Sequence, residues 1–129
     1  MREGRTVRTD RAPSPIGAYS QAAEAAGLVF TAGQIGIDPE TGRLPEGIEA
    51  QTGQALKNID AVLSVTGEGL DDVVKLTLYI TDMCNFDTVD HVCSAVLKKP
   101  WPARSAVEVS ALPGDALVEI EAVAMKGRK

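Results

Sequence analysis

Pro102-Ala103-Arg104-Ser105-Ala106-Val107-Glu108-Val109 has the period of a strand lying half in a core. On a two-residue repeat Val107 and Val109 share one side, and Arg104, Ala106 and Glu108 share the other. Residues 117–125 repeat the pattern. Val118, Ile120, Ala122 and Ala124 make an unbroken apolar face, while Glu119 and Glu121 point away from it with Leu117, Val123 and Met125. If the valines turn to the core, Arg104, Glu108, Glu119 and Glu121 gather on the second face of one sheet. That face is too apolar for open water and too charged for an ordinary interior, so it calls for a cover. A pocket beneath the cover would hold a guanidinium and carboxylates.

Working outward, residues 73–80 predict a strand in which Val74, Leu76, Leu78 and Ile80 face the core and Val73, Lys75, Thr77 and Tyr79 face away. Residues 48–65 change to a helical period, with Ile48, Ala55, Leu56, Ile59, Val62 and Leu63 on one side, and Gly67 and Gly69 stop the helix. Asp82 to Asn85 offers N-caps for a second helix reaching about Leu97, with Phe86, Val89, Cys93 and Val96 as its apolar stripe. Residues 1–15 carry breakers and end in Pro13-Ser-Pro15, an extended lead-in; residues 127–129 form a tail. Residues 22–26 predict an edge strand and residues 28–35 a longer one. Gly33 inside the latter signals a bulge or a close backbone approach. The order is two or three strands, helix, strand, helix, two strands: an α+β domain over residues 1–129, its two helices covering one face of a five- or six-stranded sheet. Val74, Leu76, Leu78, Val107, Val109, Val118, Ile120 and Ala122 are expected on the covered face.

Composition narrows the function. At 129 residues, with 44% hydrophobic and 24% charged side chains, the chain is an ordinary globular domain. A net charge of −5 argues against a nucleic-acid partner. No apolar run is long enough to span a membrane, and the first residues lack a secretory signal, so a cytoplasmic location is expected. Cys84 and Cys93 form no CxxC pair, and the lone His91, expected in solvent, completes no metal set. Neither a metal nor a cofactor is expected. Cys93 reads as a small buried hydrophobe.

Several motifs together resemble the RidA/YjgF family: Ile16-Gly-x-Tyr19-Ser-Gln21, Thr31-Ala-Gly33-Gln-Ile35, Asp38-Pro-x-Thr-Gly42, Gln54-Ala-Leu-x-Asn58-Ile, Val74-Lys-x-Thr77, the opening stretch, and Val118-Glu-Ile-Glu-Ala122. The resemblance covers about residues 10–126. It implies a chorismate-mutase-like fold and a homotrimer whose sheets face a central barrel, with sites in clefts between subunits. It also implies metal-independent hydrolysis of reactive imines and enamines of 2-oxo acids, of the 2-iminobutanoate and 2-iminopropanoate type, to the 2-oxo acid and ammonia. By motif position, Arg104 binds the substrate carboxylate and Glu119 is the acid near the attacking water. Tyr19 and Gly33 line the pocket, and Ala106 offers backbone groups. Periodicity alone does not choose between Glu119 and Glu121 as the proton carrier.

The sequence departs from the family at Ala32, where a hydroxyl is usual, at Asp90, where asparagine is common, and in a short loop at residues 98–101. Losing the hydroxyl removes one contact for substrate or water. The competing readings are a non-catalytic trimer that senses a small carboxylate, a deaminase of a larger substrate such as 2-aminomuconate, and a ribonuclease or translation inhibitor. The last fits poorly with the acidic charge and five aromatic residues.

Overall fold

Apolar periodicity becomes a sheet with a helical layer on one side in the computed structural model, which describes residues 5–127. The elements in order are β1 (Arg5–Val7), β2 (Ala22–Ala25), β3 (Leu28–Thr31), β4 (Gln34–Ile35), α1 (Ile48–Ser64), β5 (Val73–Ile80), α2 (Phe86–Val96), β6 (Ala103–Glu108) and β7 (Val118–Met125). The strands form one seven-stranded sheet in the order β1-β2-β3-β7-β5-β6, with the short β4 also paired to β7. Only β5 and β6 run parallel, joined by the α2 crossover; every other pairing is antiparallel. Residues 1–4 and the end of the expected tail, Arg128 and Lys129, lie outside the described residues.

The core is the contact between α1, α2 and one side of the central strands. Leu56, Ile59, Val62 and Leu63 of α1 pack with Val89 and Cys93 of α2 over Leu76, Leu78 and Ile80 of β5 and Val118, Ile120 and Ala124 of β7. Helix α1 ends as its glycines predict: Gly67 takes a φ of 92°, and the Glu68 N–H turns back to donate to the Leu63 carbonyl. Three polar residues of α1 are also buried and act as ties. Asn58 donates to the Ile35 and Ile37 carbonyls at 3.1 and 2.9 Å, and Gln51 accepts from Leu117 N–H at 2.9 Å. Thr52 bonds back to Ile48.

Five expectations change. The extended lead-in supplies a strand of its own: Arg5–Val7 pairs with β2, which is therefore not the edge. Arg5 ion-pairs with Glu24, and Val7 is buried. The rest of the lead-in is held by the buried Gln21 amide, which reaches Thr9 and Pro13. The strand at residues 28–35 breaks into β3 and β4, because one extra residue enters between the Phe30–Val123 and Gln34–Ile120 pairs. Thr31 Oγ1 accepts from Ala122 N–H and closes the gap.

Val74 is exposed rather than buried, since a bulge at the start of β5 sends Val73 into the core instead. On α2, Val96 is likewise exposed, and Leu97 takes the core position after the helix end. Most consequential is β6. Parallel pairing matches Arg104, Ala106 and Glu108 with the buried Leu76, Leu78 and Ile80, and paired residues share a face. Arg104 and Ala106 therefore lie on the helix side, and Val107 lies on the open side with 42% of its surface exposed. Valine parity misleads here because β6 is an outer strand at the rim of the core. Its inward positions touch the flank of α2, where charged side chains reach polar partners without full burial.

Candidate functional site

Two groups of side chains carry chemistry, and the sheet separates them. The first stands on the open face. Glu119 and Glu121 project there from β7, opposite Tyr79 and Thr77 of β5. The Tyr79 hydroxyl donates to Glu121 Oε1 at 3.1 Å. Burial pushes the Glu119 carboxyl above its ordinary value, and the Glu121 charge adds to the rise. Tyr79 is raised as well, by desolvation and then by its bond to Glu121. The bulge between β3 and β4 lays Gly33 directly against Glu119: a Cβ at residue 33 would stand 2.7 Å from Glu119 Cδ. The glycine thus makes the close approach that its place in the strand signals. Tyr19, 52% exposed, shares a shallow depression with Phe30, Thr31 and Ala32, and Ala32 is the neighbour of Gly33 in the chain.

The second group stands on the helix face at the sheet edge. Arg104 Nη1 donates to Asp90 Oδ1 of α2 at 2.5 Å, and its guanidinium lies 5.1 Å from the centre of the Phe86 ring. Beside it is a cavity of about 400 Å³ lined by Leu76, Cys93, Ser94, Leu97, Trp101 and Pro102 as well as the ion pair. Burial pushes the Cys93 thiol up to about 11 despite the nearby Arg104 charge, so it is a wall and not a nucleophile. Half-buried Ala106 follows on the same side of β6.

Of the residues expected to form one pocket, Gly33 and Glu119 are in contact, and Tyr19 shares its depression with Ala32, the residue before Gly33. Arg104 and Ala106 lie on the other face of the sheet, with β5 between their strand and β7. Sequence reasoning missed the partners of Arg104. Phe86 and Asp90 stand one turn apart on α2, and that spacing was the available signal. Among the described residues no group of three or more His, Cys, Asp or Glu side chains could hold a metal ion. No helix there is long and apolar enough to cross a membrane.

A mixed sheet shielded on one side by two helices, and left bare by the described residues on a side rich in charge, defines an α+β protein of a recognisable kind. The family model described as Endoribonuclease L-PSP matches residues 9–126, and the chain belongs to this family, the YjgF/RidA family. A RutC family protein of Pyrococcus horikoshii is 50% identical over 121 residues, covering 93% of this chain and 96% of the relative. The 2-iminobutanoate/2-iminopropanoate deaminase of Salmonella typhimurium is 39% identical over 125 residues, covering 95% and 98%. The crystal structure of RidA from an Antarctic Psychrobacter superposes with a TM-score of 0.91 at 44% identity, covering 94% of this chain and 98% of that one.

Proposed function

We propose that this protein is a hydrolytic deaminase of short imine and enamine derivatives of 2-oxo acids, of the 2-iminobutanoate and 2-iminopropanoate type, acting without a metal. The observation that carries this reading is the pairing of Glu119, a half-buried carboxyl raised above its ordinary value, with the closely apposed Gly33 on the face of the sheet away from the helices. The Salmonella relative bears the name of that activity.

Arg104 binds the substrate carboxylate and so fixes the neighbouring C=N carbon in space. Glu119 takes a proton from water as its oxygen attacks that carbon, giving a carbinolamine. The proton then passes to the nitrogen, Glu119 takes the hydroxyl proton as the C–N bond breaks, and 2-oxo acid and ammonia leave. A carboxyl raised above its ordinary value suits both directions of transfer. Tyr19 and Gly33 shape the pocket, and Ala106 supplies backbone groups. Because Arg104 and Glu119 stand on opposite faces of one sheet, the working site joins Glu119 of one copy to Arg104 of the next. A homotrimer with its open faces turned inward does this.

Ammonia release from 2-iminobutanoate and 2-iminopropanoate made in situ tests the reading. Arg104→Ala should keep the assembly and lose about 30- to 4,000-fold in turnover, the usual cost of truncating one partner of a buried charge pair. A folded Arg104→Ala protein with wild-type turnover would remove the assignment. Absence of ammonia release from the wild-type protein would leave a carboxylate-binding protein in place of an enzyme.

A further inference from the structure

Arg104 meets a carboxylate of its own chain before it meets any ligand. The contact with Asp90 uses one guanidinium nitrogen, Nη1, at 2.5 Å, with the charged plane over Phe86. A carboxylate that grips a guanidinium fully uses two nitrogens, so one edge of the fork stays open. The adjoining cavity is walled by Leu76, Leu97, Trp101 and Pro102, and among the described residues its charged groups are Arg104 and Asp90, whose formal charges cancel.

We propose that Asp90 sets specificity: it is a built-in counter-ion that restricts the Arg104 site to ligands with one carboxylate and an uncharged side chain. The proposal rests on the reading of Arg104 as the carboxylate-binding group. A monocarboxylate takes the open edge of the fork against one repulsion, from Asp90, and its short apolar tail suits the remaining walls. A second carboxylate meets the same repulsion again, and the described residues of the cavity offer it no further cation. Asp90 holds Arg104 and repels anions without touching the reacting atoms, and is a positioning residue.

Calorimetric titration of the intact protein with 2-oxobutanoate and with the dicarboxylate 2-oxoglutarate tests this. The wild type should bind 2-oxobutanoate at least about tenfold more tightly, and Asp90→Asn should narrow that gap about fivefold, the larger gain going to 2-oxoglutarate. Asp90→Glu, which keeps the charge, should keep the gap. In turnover, Asp90→Asn should act on KM and leave kcat within about twofold, whereas a role in folding alone would lower the melting temperature and leave the preference untouched. Equal wild-type binding of the two acids, or an unchanged gap in Asp90→Asn, overturns the proposal. Arg104→Ala separates the two failures. If it still binds 2-oxobutanoate like the wild type, the carboxylate role of Arg104 falls and the proposal falls with it. If it loses binding while Asp90→Asn leaves the gap unchanged, only the assignment of Asp90 is lost.

Discussion

Glu119 and Glu121 are two residues apart on one strand face, yet their surroundings differ. Glu121 accepts the Tyr79 hydroxyl, whereas burial raises Glu119. The ionised form of Glu119 is therefore the disfavoured one in the fold. Well below the ordinary value of 4.5 the carboxyl is protonated in both the folded and the unfolded chain, and the penalty is absent. The penalty sets in as pH passes that value and is complete above the folded pKa. Glu119→Gln should accordingly melt with the wild type at about pH 3.5 and above it at pH 7. Thermal melts across that range check the sign, and a wild type that is the more stable at neutral pH would contradict it. Periodicity placed both glutamates on this face. The burial of Glu119 and the hydroxyl that Glu121 accepts from Tyr79, a residue of another strand, come only with the folded sheet.

Two glycines separate function from stability at the scale of the elements. A Cβ at Gly33 would fall on the Glu119 carboxylate, the far end of a flexible side chain that can swing aside. Gly33→Ala should therefore leave the melting temperature nearly unchanged while displacing Glu119 and lowering deamination about 10- to 100-fold. A Cβ at Gly36 would instead stand 2.8 Å from Gln51 Cα in the backbone of α1, which cannot turn away. Gly36→Ala should push the chain after β4 off the helix and cost about 1–3 kcal/mol, read as a fall in the denaturant midpoint. Equal losses of stability in the two variants would show that Glu119 is held as firmly as α1. Asn58 belongs to the same scale, since it carries the carbonyls of Ile35 and Ile37 that flank this approach. Its place in a Gln54-to-Ile59 motif was legible, but its bonds needed the loop folded back onto α1.

The bare face of the sheet is the feature of the whole molecule that most needs explaining. Phe30, Val107 and Met125 lie there 45%, 42% and 39% exposed, among Lys75, Tyr79, Glu119 and Glu121. A half-apolar sheet face of this kind suits contact with further copies of itself. Light scattering at micromolar protein should give about 41 kDa, three times 13.6 kDa. Val107→Asp, placing a charge beside Tyr79 on that face, should yield the 13.6 kDa species and abolish deamination together with the assembly. Full activity in a monomer would break the link between assembly and site.

The sequence by itself determined the elements with strong periods: α1, β5, α2 and β7, the helical cover on one side, and the position of Gly33. Each is set by local chemistry, a repeat of apolar residues or a backbone that must come close. Tertiary structure alone decided which way β6 faces. Its alternating residues are compatible with either side, and only parallel pairing to β5 ties Arg104 to Leu76 and turns it toward α2. The bulges that expose Val74 and split β3 from β4 are also tertiary, because each depends on the register of a partner strand remote in the chain. So is the bond from Arg104 to Asp90, formed where the rim of the sheet meets the flank of a helix.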